Sequence, residues 1–115
     1  MPESPMLGPV NFMADLESAG DFEKKHTPHI ELSSSGDVTV VTVTVGWDVP
    51  HPNQPDHFIA WIELYAGEAS IARFDLSPVL TAPIVSVAVS LEPGTVVRAV
   101  EHCNLHGLWA AEAII

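Results

Sequence analysis

Residues 38–45 read Val-Thr-Val-Val-Thr-Val-Thr-Val. Every residue in this stretch is branched at Cβ, a shape that suits strands better than helices. Val41 and Val43 fall on one face, and Thr42 and Thr44 fall on the other, as in a strand with one buried face. The stretch therefore predicts a half-buried β-strand.

Other short segments have the same strand-like composition and are separated by turn residues rather than by helical patterns. They are residues 29–32, 58–65, 70–76, 84–91, 95–103 and 108–115. Ser33-Ser34-Ser35-Gly36 is predicted as a turn, and residues 22–29 as a loop. About seven short strands indicate an all-β fold, an immunoglobulin-like antiparallel β-sandwich, although a small barrel has a similar pattern.

The chain has 115 residues, enough for one ordinary core without disulfide support. We expect a single domain over residues 1–115, with an irregular N-terminal arm over residues 1–20. The formal net charge is -11, from 15 acidic and 4 basic residues. Nucleic acid and anionic membrane surfaces are therefore not expected as partners.

The longest uncharged apolar stretch, residues 76–91, contains Pro78 and Pro83 and is shorter than the ~20 residues of a membrane-spanning helix. Residues 1–5 lack the basic region and apolar run of a secretory signal. Cys103 is the only cysteine, so an internal disulfide and a four-cysteine metal centre are both excluded within one chain. We expect a cytoplasmic protein with no membrane partner.

A candidate metal site lies near the only thiol. Cys103 is followed three residues later by His106 and then by Gly107, which places two ligand types on one tight loop. A proline-stiffened loop holds His51 and His57, and a separate basic loop holds His26. Single histidines usually cap or cover a surface, but this set together indicates a metal site.

The donor types favour iron among the common metals. Four imidazoles and one thiolate exceed the four ligands of a closed zinc site. Copper electron carriers add a weak axial methionine after the cysteine, whereas all three methionines here lie far upstream. Two alternatives remain: a cupredoxin-like copper electron-transfer protein, and a non-catalytic immunoglobulin-like binding module with incidental histidines.

Three blocks, in this order along the chain, resemble the superoxide reductase family, in its single-domain neelaredoxin form, which shares its iron-binding domain with desulfoferrodoxin. The blocks are Lys25-His26-Thr27-Pro28, then His51-Pro52 with residues 57–64, and then residues 103–109. The absence of further cysteines implies that the small rubredoxin-like domain of the desulfoferrodoxins is missing.

The resemblance implies a mononuclear iron, ferrous or ferric, with a thiolate from Cys103 and four nitrogen ligands. The nitrogen ligands implied are His26, His51, His57 and His106. Lys25 matches the lysine that the family places near the open position. The family usually has Glu-Lys-His, whereas this chain has Lys24-Lys25-His26, so Glu23 is a candidate sixth ligand that stands one residue early.

His29 and His102 match no ligand position, and strand spacing directs His102 away from the face that holds Cys103. The backbone N–H groups of residues 104–106 are expected to donate toward the sulfur and to moderate its electron donation.

The implied reaction is the one-electron reduction of superoxide to hydrogen peroxide, with two protons taken up and no dioxygen made. Lys25 would offset the repulsion between this acidic protein and an anionic substrate. The resemblance also implies a rubredoxin-like electron donor, and we expect a homo-oligomer, either a dimer or a tetramer.

Overall fold

The computed structural model describes residues 8–13 and 18–115. The remainder of the predicted irregular arm, residues 1–7 and 14–17, lies outside the described residues. The elements are β1 (Val10–Phe12), α1 (Asp21–His26), β2 (Pro28–Ser35), β3 (Val38–Val45), β4 (Ile59–Ala66), β5 (Ala69–Asp75), β6 (Ile84–Val89), β7 (Val96–Cys103) and β8 (Gly107–Ile114).

These strands form two sheets, which confirms the predicted all-β, sandwich-like fold. One sheet has the strand order β1-β8-β7-β4-β5, and the other has the order β2-β3-β6. The pairs are antiparallel except for β1 and β8, which run parallel. β1 lies inside the arm that was expected to be irregular, and it is held by pairing with β8 rather than by a strand pattern of its own.

The core is built mainly from small β-branched residues contributed by both sheets. On β3 the side chains of Val41 and Val43 are fully buried, as the alternation of this strand predicted. On β7 the inward positions include Val97, Ala99 and Cys103, all fully buried in the same cluster. The cysteine is therefore the last inward residue of a core strand.

The predicted turn at residues 33–36 was wrong in its position. Ser33, Ser34 and Ser35 belong to β2 and pair with residues of β3, so the chain reverses at Gly36 and Asp37. Gly36 has a φ of +62°, the left-handed conformation that glycine adopts without steric cost. Serine is common in turns, but cross-strand pairing with a strongly strand-forming segment overrides that preference here.

Residues 22–29 were predicted as a loop, but they include most of helix α1. The helix has acidic residues in its first turn and basic residues in its last turn, which complements the helix dipole. It ends where Thr27 donates from both its backbone N–H and its hydroxyl to the Glu23 carbonyl. A helix of only 6 residues is too short to show a clear apolar period in the sequence.

Among the described residues, the structure contains no helix that is both long enough and apolar enough to cross a membrane.

Gly46, directly after β3, allows a close approach of two backbone segments. Its φ is +89°, and a Cβ atom added there would lie 2.5 Å from the backbone nitrogen of His51. Contact at this distance requires the backbone to move, because real Cβ atoms do not approach other atoms so closely. The position of His51 therefore depends on the missing side chain at Gly46.

We expect Gly46→Ala to lower the free energy of unfolding by more than the ~1–3 kcal/mol typical of left-handed strain alone. The matched control is Gly94→Ala, because Gly94 also has a φ of +89° but has no atom within 4 Å of an added Cβ. Urea unfolding followed by circular dichroism measures both. Equal losses for the two variants would contradict a steric role for Gly46.

Candidate metal centre

The side chains of the five predicted metal ligands converge at one end of the sandwich. His26 Nε2 lies 3.1 Å from His106 Nδ1, and Cys103 Sγ lies 3.8 Å from the same His106 nitrogen. The ligand atoms of His26, His57, Cys103 and His106 all lie within 4.8 Å of one another. That set does not include His51, but His51 Nε2 lies 3.4 Å from Cys103 Sγ. We therefore treat all five residues as one cluster.

The cluster lies beside the ends of both sheets. His26 ends α1 just before β2, and His51 follows β3, so these two adjoin strands of the three-stranded sheet. His57 precedes β4, Cys103 ends β7 and His106 lies in the turn before β8, so these three lie in or beside strands of the five-stranded sheet. The metal-binding atoms thus meet where the ends of the two layers come together.

Hydrogen bonds to backbone carbonyls set the tautomers of two histidines. His26 Nδ1 is 2.6 Å from the Phe22 carbonyl, and His51 Nδ1 is 2.7 Å from the Pro52 carbonyl. A carbonyl oxygen only accepts, so each Nδ1 carries the proton and donates it. The lone pair of each Nε2 is then directed into the cluster, as metal-binding histidines require.

Burial favours the neutral form of these imidazoles. It lowers the pKa of His51 to about 4, against the opposing effect of the hydrogen bond to Pro52. Burial also lowers the pKa of His26 and, with a repulsive effect from His106, that of His57. Neutral imidazoles keep the lone pairs that a metal ion needs.

Cys103 experiences two opposing effects. Burial raises the pKa of its thiol, whereas the backbone N–H groups of Leu105 and His106 donate to the sulfur and lower it. Of the three backbone N–H groups that were expected to donate toward the Cys103 sulfur, those of Leu105 and His106 do so. The third, the N–H of Asn104, instead donates to the Phe58 carbonyl at 3.2 Å.

Asn104 joins the cysteine loop to the segment that carries His57. Its side-chain Oδ1 accepts from the Phe58 N–H at 2.8 Å, and its Nδ2 donates to the Asp56 carbonyl at 2.9 Å. Together with its own backbone N–H, Asn104 makes hydrogen bonds on both sides of His57. Sequence reasoning assigned a role only to its backbone N–H, toward the sulfur, and none to its side chain; the available signal was its place between Cys103 and His106.

Two aromatic residues cover the cluster on one side. Trp109 is stacked on His26 with ring centroids 5.2 Å apart, and its indole N–H donates to the His106 carbonyl. Phe22 lies 4.6 Å from the His26 ring and 4.8 Å from the His106 ring. Trp109 lies within the block of residues 103–109, but the sequence pattern did not identify either residue as a support for the histidines.

Lys25 directly precedes His26 on α1, and its positive charge contributes to lowering the pKa of His26, His51 and His57. Lys24, its neighbour, lines a surface cavity together with His29 and Trp47, which are not members of the cluster. Glu23 lies on α1, and the four-residue set described above contains no carboxylate.

The two histidines without a predicted ligand role lie elsewhere. His29 is stacked on Trp47 with ring centroids 4.0 Å apart. His102 lies beside Trp61, its cross-strand partner, with centroids 5.6 Å apart. Neither belongs to the cluster.

Glu101 is a buried residue that sequence reasoning missed. Its side chain is fully buried, and neither carboxyl oxygen has a hydrogen-bond partner among the described residues. Burial raises its pKa well above the ordinary value, which favours the neutral carboxyl over the carboxylate. Glu101 and Cys103 are two positions apart on β7, so both side chains point to the interior between the sheets.

The residues present fit a bound metal ion. His57 Nε2 is buried and has no hydrogen-bond partner among the described residues, although buried polar atoms normally have one. A metal ion would supply that partner. Four imidazole nitrogens and one thiolate are intermediate and soft donors, of the kind that bind iron or copper more readily than magnesium or calcium.

Comparisons with known proteins agree with this chemistry. The desulfoferrodoxin family model matches residues 18–112. The superoxide reductase of Pyrococcus abyssi is 37% identical over 112 residues, covering 87% of this chain and 96% of that protein. The superoxide reductase of Pyrococcus horikoshii is 39% identical over 104 residues, covering 82% of this chain and 90% of that protein.

Solved structures show the same likeness. The superoxide reductase (neelaredoxin) of Ignicoccus hospitalis superposes with a TM-score of 0.76 at 32% identity, covering 92% of this chain and 93% of that one. With a family match over most of the length, relatives well above 30% identity and a shared fold, this chain belongs to the desulfoferrodoxin family, the iron-binding family of the superoxide reductases and neelaredoxins.

Proposed function

We propose that this protein is a superoxide reductase that reduces superoxide to hydrogen peroxide by one electron. The observation that carries the proposal is the convergence of four imidazoles and one thiolate, in a chain of this family, at one end of the sandwich. A copper carrier and a plain binding module, the two alternatives, are not favoured by these relatives.

The residues that we propose as iron ligands are His26, His51, His57, Cys103 and His106. When bound, iron cycles between its ferrous and ferric states and supplies the electron for the reaction. The carbonyls of Phe22 and Pro52 hold two of the imidazoles in the tautomer that can bind metal. The N–H groups of Leu105 and His106 withdraw electron density from the sulfur, so they moderate the donation of the thiolate.

Lys25 is proposed to attract the substrate. Superoxide is an anion, and a net charge of -11 repels it at long range. Salt screens that repulsion beyond about 8–10 Å, whereas a cation beside the site acts at shorter distance. Arg73 and Arg98 are ion-paired with acidic side chains, whereas Lys25 has no ion pair among the described residues.

The extent of the domain, the cellular location, the electron donor and the oligomeric state are proposals as well. The family match over residues 18–112 supports one domain over residues 1–115. A reducing cytoplasm suits the protein because its only thiol must stay reduced to bind metal. The resemblance supports a rubredoxin-like electron donor and a homo-oligomeric assembly.

The protein is expected to bind one iron per chain and to produce hydrogen peroxide from superoxide without releasing dioxygen. Elemental analysis and a peroxide assay with an oxygen electrode test this directly. His57→Ala should lose most of the iron and the activity, while His29→Ala, outside the cluster, should keep both. Stoichiometric copper, or protein that binds no metal, would refute the proposal.

Lys25→Ala should slow the capture of superoxide by about tenfold and weaken its dependence on salt. Lys24→Ala makes the same change in net charge, but Lys24 lines the surface cavity beside His29 and Trp47. The effect of this variant should therefore be much smaller. Pulse radiolysis of the ferrous protein at several ionic strengths gives both rates, and iron content should stay unchanged. Equal decreases in the two variants would show that overall charge, not the position of Lys25, determines capture.

Glu23 remains a proposed sixth ligand of the ferric form. Residues three apart on a helix share a side, so Glu23 and His26 lie on the same side of α1. If Glu23 binds, Glu23→Ala should shift the visible absorption band of the ferric protein. Asp21→Ala, on the first turn of the same helix, should not shift it. Identical spectra for wild type and Glu23→Ala would remove Glu23 from the ligand set.

A further inference from the structure

His51 and His57, two of the five clustered side chains, lie in the same loop, residues 46–58, which connects β3 to β4. Hydrogen bonds inside this loop shape it: His51 donates to the carbonyl of the next residue, and Gln54 and His57 exchange backbone hydrogen bonds. These bonds do not attach the loop to the rest of the sandwich. Asn104 attaches the half around His57 to the cysteine loop, and the half around His51 has a different attachment.

The side chain of Asn53 provides that attachment. Asn53 is half-buried, and its Oδ1 accepts a hydrogen bond from the Val79 N–H at 2.8 Å. Its Nδ2 makes longer and weaker bonds to the carbonyls of Val79 and Thr81, at 3.4 and 3.3 Å. One amide thus joins the loop that carries His51 and His57 to residues 76–83, which we call the β5–β6 loop.

The β5–β6 loop is itself fixed in place. It crosses from the five-stranded sheet to the three-stranded sheet. Inside the loop, the Thr81 N–H donates to the Ser77 carbonyl at 3.0 Å, and the Ser77 N–H donates to the Thr81 hydroxyl at 2.8 Å. At its end, the Pro83 carbonyl accepts from the N–H of Val45, the last residue of β3, at 2.9 Å. Asn53 is therefore bonded to a loop that both sheets restrain.

Val79 adopts a strained conformation at the point of contact. Its φ is +69°, and among the described residues it is the only one other than glycine with a positive φ. This region is unfavourable for a β-branched residue, and it persists only where surrounding contacts maintain it. The Val79 side chain is 53% exposed, so packing contributes little, whereas both its N–H and its carbonyl are bonded to Asn53. The hydrogen bonds with Asn53 therefore maintain this conformation.

We propose that Asn53 is a positioning residue, which holds His51 and His57 in the arrangement that binds metal before any ion is present. The inference rests on the proposed function, in which these two side chains bind iron. Their rings already lie in edge contact, with centroids 4.7 Å apart, and His51 Nε2 lies 3.4 Å from Cys103 Sγ. A loop that is ordered in advance loses less conformational entropy when it binds. Without Asn53, the ion would have to order the loop, and its affinity would fall.

Titration of the metal-free protein with cobalt(II) tests the proposal without superoxide chemistry, because the visible absorption of cobalt reports its binding to thiolate and imidazole. Asn53→Ala should raise the cobalt Kd by about tenfold, the lower end of the loss seen when a group that supports metal ligands is removed. In the metal-free variant, hydrogen exchange should also become faster at the backbone N–H groups of Gln54 and His57, whose bonds lie inside the ligand loop.

Thr95→Val is the matched control. It also removes a side-chain hydrogen bond to a loop carbonyl, that of Glu92, but Thr95 precedes β7 whereas Cys103 ends it. It should keep the wild-type Kd, and circular dichroism should show both variants folded. An unchanged Kd in Asn53→Ala, or an equal rise in Thr95→Val, would overturn the role of Asn53 alone. A wild type that bound no cobalt would overturn the metal centre as well.

Discussion

The hydrogen bonds of Asn104 hold two of the chain segments that form the candidate metal centre against each other. They join the loop after β7 to the segment before β4 on both sides of His57. They add to two other restraints on His57, which are the backbone hydrogen bonds that Gln54 and His57 exchange and the pairing of Ile59 with Cys103 at the start of β4. Because Cys103 and His106 lie on either side of the same asparagine, this one residue links three candidate ligands, Cys103, His106 and His57.

Much of the scaffold was predictable because local residue preference and burial point in the same direction. β3 was predicted over residues 38–45 and is found at Val38–Val45. The start of β6 and the end of β7 were also predicted correctly, at Ile84 and at Cys103. In β3 and β6, β-branched residues alternate with polar or small ones, so that packing of one face against the core reinforces the local preference.

The features that the sequence did not reveal depend on residues far apart along the chain. The spacing of Cys103 and His106 was visible, but the stacking of Trp109 on His26 and the contact of Gly46 with His51 arise only from tertiary structure. β1 is three residues long and owes its conformation to its partner β8. Helix α1 was not predicted because it is too short to show a helical repeat of apolar residues. Its tertiary contacts and the hydrogen bonds at its C-terminal end define it instead.

The division of the cluster between the two sheets gives a bound ion a mechanical role. His26 and His51 adjoin one layer, and the other three members lie in or beside the opposite layer. An ion bound to all five would cross-link the layers and join positions as distant in the chain as His26 and His106. Linking such distant positions reduces the freedom of the unfolded chain, so loss of the ion would loosen the end of the sandwich as well as remove the redox centre.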